Sequence, residues 1–210
     1  IDAARPSITG IVGESGSGKS TMARLLLGLE TPTQGEVTFE GQDVRRLTGA
    51  GRRRFRQQVQ AVFQDPFESF NSLYKVDHVL EVPLRKFGLA RSRQEVQRRM
   101  ADAVSAVGLR PEETLGRYPH QLSGGQRQRI MVARALMLNP KLIIADEPVS
   151  MIDASLRAGV LGSLRRLRDD YGISLVYITH DLTTAYQVCD DILVLYRGSV
   201  VEAGSAALVV

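Results

Sequence analysis

The residues Gly13-Glu14-Ser15-Gly16-Ser17-Gly18-Lys19-Ser20 form a complete G-x-x-x-x-G-K-S pattern. Glycines at these positions let the backbone fold around an anion, so that successive N–H groups point inward at phosphate oxygens. Lys19 adds a mobile charge for β- and γ-phosphates, and the Ser20 hydroxyl can ligate Mg2+. A glycine-rich surface turn before an ordinary helix is the alternative. Against it stands the order of the parts. Apolar Ile8–Val12 reads as a buried strand, and Thr21–Leu27 reads as a helix whose N-terminal dipole faces the phosphates. The pattern implies a nucleoside triphosphate site.

A phosphate loop alone suits kinases, GTPases and motors, so its companions decide the chemistry. Leu142-Ile143-Ile144-Ala145-Asp146-Glu147 is an apolar strand ending in two adjacent carboxylates. Neighbouring side chains on a strand face opposite ways, which lets the two acids take different tasks. Asp146 suits Mg2+ coordination through water beside Ser20, and Glu147 suits polarising an attacking water as general base. A pair of acids capping the next helix is the structural alternative. His180 closes the strand Ser174–Thr179 at the edge where α/β sheets bind ligands, and from there it can reach a γ-phosphate and hold the attacking water. Gln64 follows the strand Val59–Phe63, where its amide can touch Mg2+ or the water and couple occupancy to the segment behind it.

A second anion site is readable at Ser123-Gly124-Gly125-Gln126, immediately before the helix expected from Arg127 to Leu138. One nucleotide does not need two cradles so distant in sequence. The second would serve a nucleotide on another copy or a homologous chain, unless it is a plain N-cap.

These residues need a scaffold that brings strand ends together. Strands and helices mostly alternate, which implies an α/β fold: a phosphate-loop NTPase core with a mostly parallel sheet. A further strand is expected at Glu36–Phe39, and the strands Ile192–Tyr196 and Ser199–Glu202 form a closing antiparallel hairpin through Arg197-Gly198. Residues from about Pro66 to Gln121 are helix-rich, with amphipathic repeats at Val76–Phe87 and Arg93–Val107. They read as a helical subdomain inserted into the core, extended by the helix of residues 123–138. A helix over Ala154–Tyr171 belongs to the core again.

The 210 residues carry a formal net charge of +4 and are 43% apolar, ordinary for a globular domain. No run is long and apolar enough to span a bilayer, and the N-terminus lacks a signal-peptide profile, so membrane association is expected through a partner. The single cysteine, Cys189, excludes an internal disulfide and reads as a buried structural thiol. Arg45, Arg46, Arg52, Arg53, Arg54 and Arg56 could form a nucleic-acid surface. Without interleaved aromatic residues a solvated basic face is the preferred reading, and no nucleic-acid partner is expected.

Taken together, the pattern resembles the ATP-binding cassette (ABC) ATPases. Gly13–Ser20 looks like Walker A, Leu142–Asp146 like Walker B, Glu147 like the catalytic glutamate, and Gln64 like the Q-loop residue. Leu122–Gln126 is similar to the signature sequence, Ser150–Asp153 to the D-loop, and His180 to the switch histidine. The resemblance implies ATP and Mg2+ as ligands. It implies nucleotide contacts from Gly13, Glu14, Ser15, Gly16, Ser17, Gly18, Lys19, Ser20 and Thr21, with Ser123, Gly124, Gly125, Gln126 and Asp153 acting across a head-to-tail dimer. Lys19, Gln64, Glu147 and His180 would be catalytic, and Ser20, Gln64 and Asp146 would hold the metal.

The stretches Phe63–Asn71 and Arg117–Ser123 look like the dipeptide, oligopeptide and nickel importer branch, some members of which carry oligosaccharides. That branch implies permease subunits, a solute-binding protein and a peripheral place on the cytoplasmic face of the inner membrane. Three departures stand out. Residues 1–12 hold no Tyr, Phe or Trp where the family stacks adenine, so weakened adenine binding is expected unless a partner supplies a ring. The family's first β-subdomain strands and its C-terminal tail are missing, so residues 1–210 read as one domain shortened at both ends. The family's Asn-Pro after the Q-loop is Asn71-Ser72.

Overall fold

The computed structural model describes residues 5–65 and 70–209. In chain order the elements are β1 (Ile8–Val12), α1 (Lys19–Leu26), β2 (Thr38–Phe39), β3 (Gln42–Asp43), α2 (Gly49–Gln58), β4 (Val59–Val62), α3 (Asp77–Phe87), α4 (Arg93–Ala106), α5 (Pro111–Thr114), α6 (Gly124–Leu136), β5 (Leu142–Asp146), α7 (Ala154–Asp169), β6 (Ser174–Thr179), α8 (Leu182–Val188), β7 (Asp191–Tyr196), β8 (Ser199–Ser205) and α9 (Ala206–Val209).

Six strands form one sheet in the order β4-β5-β6-β1-β7-β8, parallel except for the final β7–β8 pair. Helices cover both faces, so the central strands are mostly apolar, and all six residues of β6 are buried. Their two-residue period divides the core. Ile143, Ala145, Leu175 and Tyr177 pack into one cluster, while Ile144, Val176 and Ile178 join Ala23 of α1 and Phe55 of α2 in the other. The expected α/β class and mostly parallel sheet are present, together with a second, two-stranded antiparallel sheet of β2 and β3.

Between β4 and β5 the described residues form only helices and turns. Leu80 and Leu84 of α3, Met100 and Val104 of α4, and Ile130 of α6 share one core. Gly88 ends α3 with φ +69°, a left-handed conformation that glycine adopts without a Cβ penalty. At the start of α4 the Ser92 hydroxyl accepts the Glu95 N–H at 3.1 Å. The first residues of the expected helical insertion, 66–69, lie outside the described residues, as do residues 1–4 and Val210.

Three local details differ from the sequence reading. The strand expected at Glu36–Phe39 is only Thr38–Phe39. Glu40 and Gly41 turn the chain at φ +51° and +76° into β3, and β3 gives way after Asp43 to a 3-10 turn over Val44–Arg46, so the ladder stops at the Thr38–Asp43 pair. α6 starts at Gly124, well before Arg127. Ser123 and Gln126 form a reciprocal cap that draws both glycines into the first turn. α8 had no apolar period to reveal it, but Asp181 starts it by accepting the Thr183 N–H at 2.9 Å.

Candidate functional site

The phosphate loop joins β1 to α1. Gly16 and Gly18 sit at φ +81° and +102°, conformations a side chain would strain, and Gly18 is the N-cap of α1. The first helical bond runs from Met22 N–H to the Gly18 carbonyl at 3.0 Å. The N–H groups of Lys19, Ser20 and Thr21 precede it and have no carbonyl in the helix, as at any helix start. Lys19 is 7% exposed, and its Nζ donates to the Gly13 and Glu14 carbonyls at 2.7 and 2.8 Å. The ammonium thus straps the loop from within and keeps a third N–H for an anion.

The loop is also held from outside. Gly198, at the tip of the β7–β8 hairpin, donates its N–H to the Ser17 carbonyl at 2.9 Å. Gly13 lies so close to β7 that a Cβ there would stand 2.2 Å from the Leu195 carbonyl oxygen. Ser17 is buried beneath the loop, and its hydroxyl has no hydrogen-bond partner.

Parallel register brings the other groups to the same edge. Val12 pairs with Thr179 and Asp146 with Ile178, so the loop, the two acids and His180 all leave the C-terminal ends of neighbouring strands. Glu147 continues the ladder by donating its N–H to the Ile178 carbonyl at 2.8 Å. Its own φ is +47°, a left-handed conformation uncommon for a side-chain-bearing residue. That turn aims its carboxylate at the neighbouring strand end, where Oε1 lies 2.8 Å from His180 Nδ1. The sequence carried no signal for this conformation.

Burial pushes the Asp146 carboxyl above its ordinary pKa, and the charge of Glu147 adds to the effect. Lys19, a hydrogen bond from Ser20 and the charge of Arg24 act the other way. Two acids in a partly dry corner with a hydroxyl beside them suit a divalent cation. The described residues contain no cluster of three His, Cys, Asp or Glu able to hold a metal alone. Mg2+ commonly takes few protein ligands and completes its shell with water and phosphate, so Ser20 and Asp146 fit it.

These residues border a cleft of about 1080 Å3. Its lining includes Gly13, Glu14, Ser15, Gly16, Gly18, Lys19, Ser20, Thr21, Gln64, Glu147 and His180, as the sequence suggested. Ser17 and Asp146 lie behind that surface, Asp146 reaching it through Ser20. Ser123, Gly124, Gly125, Gln126 and Asp153 do not line the cleft of their own chain. Ser123 is at this point an N-cap: its hydroxyl accepts the Gln126 N–H at 3.2 Å, and Gln126 Oε1 accepts the Ser123 N–H at 2.9 Å. The lining also contains Leu182, Val194, Leu195, Tyr196 and Val201, which the sequence reading left out of the site. The last four lie on the hairpin strands, brought beside the loop by the pairing of β7 with β1, Val12 opposite Val194, and by the Gly198–Ser17 bond.

Comparison with known proteins places the chain among relatives of known family. The oligopeptide transport ATP-binding protein OppF of Salmonella typhimurium is 44% identical over 196 residues, which are 93% of this chain and 58% of that protein. The dipeptide transport ATP-binding protein DppF of Escherichia coli is likewise 44% identical, over 93% of this chain and 58% of its own length. The chain therefore spans about 58% of these curated relatives. Among solved structures, a dimeric post-hydrolysis ATP-binding cassette bound to ADP and Pi is 31% identical, with a TM-score of 0.83 over 95% of this chain and 85% of that one. CbiO1 of Clostridium perfringens, part of an ABC transporter complex, is 27% identical, with a TM-score of 0.85 over 98% of this chain and 79% of that one. With its residues 2–150 matching the family described as ABC transporter, and with the phosphate loop, paired acids and histidine on one sheet edge, the chain belongs to the ABC transporter family.

Proposed function

We propose that this chain binds and hydrolyses ATP, and that nucleotide-driven pairing of two such chains powers import of oligopeptides or related solutes. The observation that carries this reading is the 2.8 Å contact of Glu147 with His180 at the mouth of the phosphate loop. Glu147 takes the proton of the attacking water. His180 uses Nδ1 to fix that carboxylate and keeps Nε2 for the γ-phosphate oxygens. Lys19 and the free amides of α1 bind the β- and γ-phosphates. Mg2+, held by Ser20, Asp146 and Gln64, would neutralise charge on the phosphates. Gln64 stands between the cleft and the helical segment, and would pass occupancy of the cleft to it.

The cleft of one chain holds only one of the two anion cradles. The second, at Ser123, Gly124, Gly125 and Gln126, together with Asp153, is assigned to the nucleotide of a partner chain, identical or homologous. Support comes from the dimeric state of the solved cassette and from the transport roles in the names of OppF and DppF. Among the described residues no helix is long and apolar enough to cross a membrane. The transport reading therefore places the chain peripherally, on permease subunits at the cytoplasmic face of the membrane, in a system with a solute-binding protein.

Glu147→Gln tests the proposal. ATP binding should persist, and an ATP-dependent dimer should accumulate in size-exclusion chromatography. Hydrolysis should fall by roughly 10²- to 10⁴-fold, the usual worth of general-base assistance. Unchanged turnover would remove Glu147 from the mechanism, and a persistent monomer with ATP would remove the shared site.

A further inference from the structure

Phosphate recognition explains only one end of the cleft. The other end rises along the β7–β8 hairpin, where Val194, Tyr196 and Val201 line it. Val194 and Tyr196 stand two residues apart on one strand and so share a face. Tyr196 is 49% exposed and Val201 59%, an open apolar surface directly beside the phosphate loop.

The position of this surface is fixed by main-chain contacts. Arg197 and Gly198 make the turn at φ +48° and +82°, the paired positive values of a tight two-residue hairpin. From that turn the Gly198 N–H binds the Ser17 carbonyl at 2.9 Å. Tyr196 is paired with Ser199 across the same turn. The ring is therefore tied to the loop that would hold the phosphates. One side of it is taken by the Arg197 guanidinium, 5.3 Å from the ring centroid, a cation–π contact that restrains the side chain. Phe63, Tyr74, Tyr118, Tyr171 and Tyr186 are also exposed, but none lines the cleft. Apart from the His180 imidazole, which is engaged with Glu147, Tyr196 supplies the one aromatic ring of the lining among the described residues.

We propose that Tyr196 is the base-stacking residue of this chain, the purine of a bound nucleotide lying on its ring with Val194 and Val201 against the edge. This rests on the nucleotide-binding function proposed above, and it assigns the base a platform within the chain itself. Stacking on a ring tolerates any base, since every base has a π face. The platform therefore binds adenine and guanine with similar strength, and triphosphate recognition dominates selectivity.

The test compares Mg2+ complexes of ATP, GTP and inorganic tripolyphosphate by calorimetric titration, in a Glu147→Gln background that suppresses turnover. Tyr196→Ala should weaken ATP and GTP alike by roughly 5- to 150-fold, the usual effect of deleting one base-stacking ring. It should leave tripolyphosphate binding unchanged. Tyr196→Phe should stay within about twofold of Tyr for all three. Equal ATP affinity in Tyr196→Ala would overturn the assignment, as would an equal loss for tripolyphosphate, which would make the residue a support of the loop. Strong preference for ATP over GTP in the parent chain would also overturn it. A parent chain that binds tripolyphosphate as tightly as ATP would remove the base platform and leave the phosphate site standing. One that binds neither would remove the nucleotide-binding function itself.

Discussion

His180 and Glu147 are 33 residues apart in sequence, yet Nδ1 of the one lies 2.8 Å from Oε1 of the other. The Glu147 side chain is only 15% exposed, while that of His180 is 59% exposed. The histidine thus stands at the mouth of the cleft and steers a carboxylate set deeper. His180→Ala should lower kcat by roughly 10²- to 10³-fold, the scale of losing one preorganised donor, with a smaller change in KM. Residues that act as a unit are far from additive. Steady-state kinetics of His180→Ala combined with Glu147→Gln should show little loss beyond the worse single variant. Additive losses would mean that the two side chains act separately.

Ser123 is assigned two tasks that substitution can separate. As an N-cap its loss in Ser123→Ala should cost about 1 kcal/mol of stability in urea denaturation. Ser123→Asp restores a capping oxygen but sets a charge where a partner's phosphate is expected. It should unfold like the parent and yet fail to form the ATP-dependent dimer in size-exclusion chromatography. A dimer of normal affinity in Ser123→Asp would leave Ser123 with its capping task alone.

Gly13 and Gly16 make a pair of contrasting substitutions in one loop. A Cβ at Gly13 would meet the Leu195 carbonyl at 2.2 Å and the Ser17 hydroxyl at 2.7 Å, so backbone must move. Gly13→Ala should destabilise the chain by about 1–3 kcal/mol, as overpacking does, and should abolish binding of tripolyphosphate. Gly16 has open space around it, and its only obstacle is φ +81°. Gly16→Ala should cost about 1–2 kcal/mol and disturb β7 less. Thermal unfolding together with tripolyphosphate titration measures both.

Cys189 is buried, and burial pushes its thiol up to about 12, with the nearby charge of Asp190 adding to the shift. At pH 8 the folded chain should resist iodoacetamide, and labelling should follow the unfolding curve in urea. The folded value lies above the ordinary 9.0, so this group favours the folded state below pH 9 and loses that contribution as pH rises toward 12. Labelling of the native chain at the rate of a free thiol would contradict the burial of Cys189.

Much of the site could be read from local order. The glycine and lysine spacing of residues 13–20 prescribes a loop, because left-handed turns and a helix start need those residues within eight positions. The apolar run before Asp146 and the strand before His180 were legible because parallel strands buried on both faces leave no polar alternation. The Ser123 cap was legible only as the alternative to an anion site, and the reciprocal part played by Gln126 appears in the structure.

The meetings between these segments were decided elsewhere. Strand order places β1 between β6 and β7, and the register of β5 on β6 brings Glu147 to His180. The pairing of β7 with β1, together with the Gly198–Ser17 bond, sets Tyr196 at the cleft, while Ser123 is left outside it. A residue's own neighbours in sequence encode its backbone and its burial period. Which strand ends share an edge depends on how helices from distant segments pack onto the two faces of one sheet, a balance made only in the complete fold.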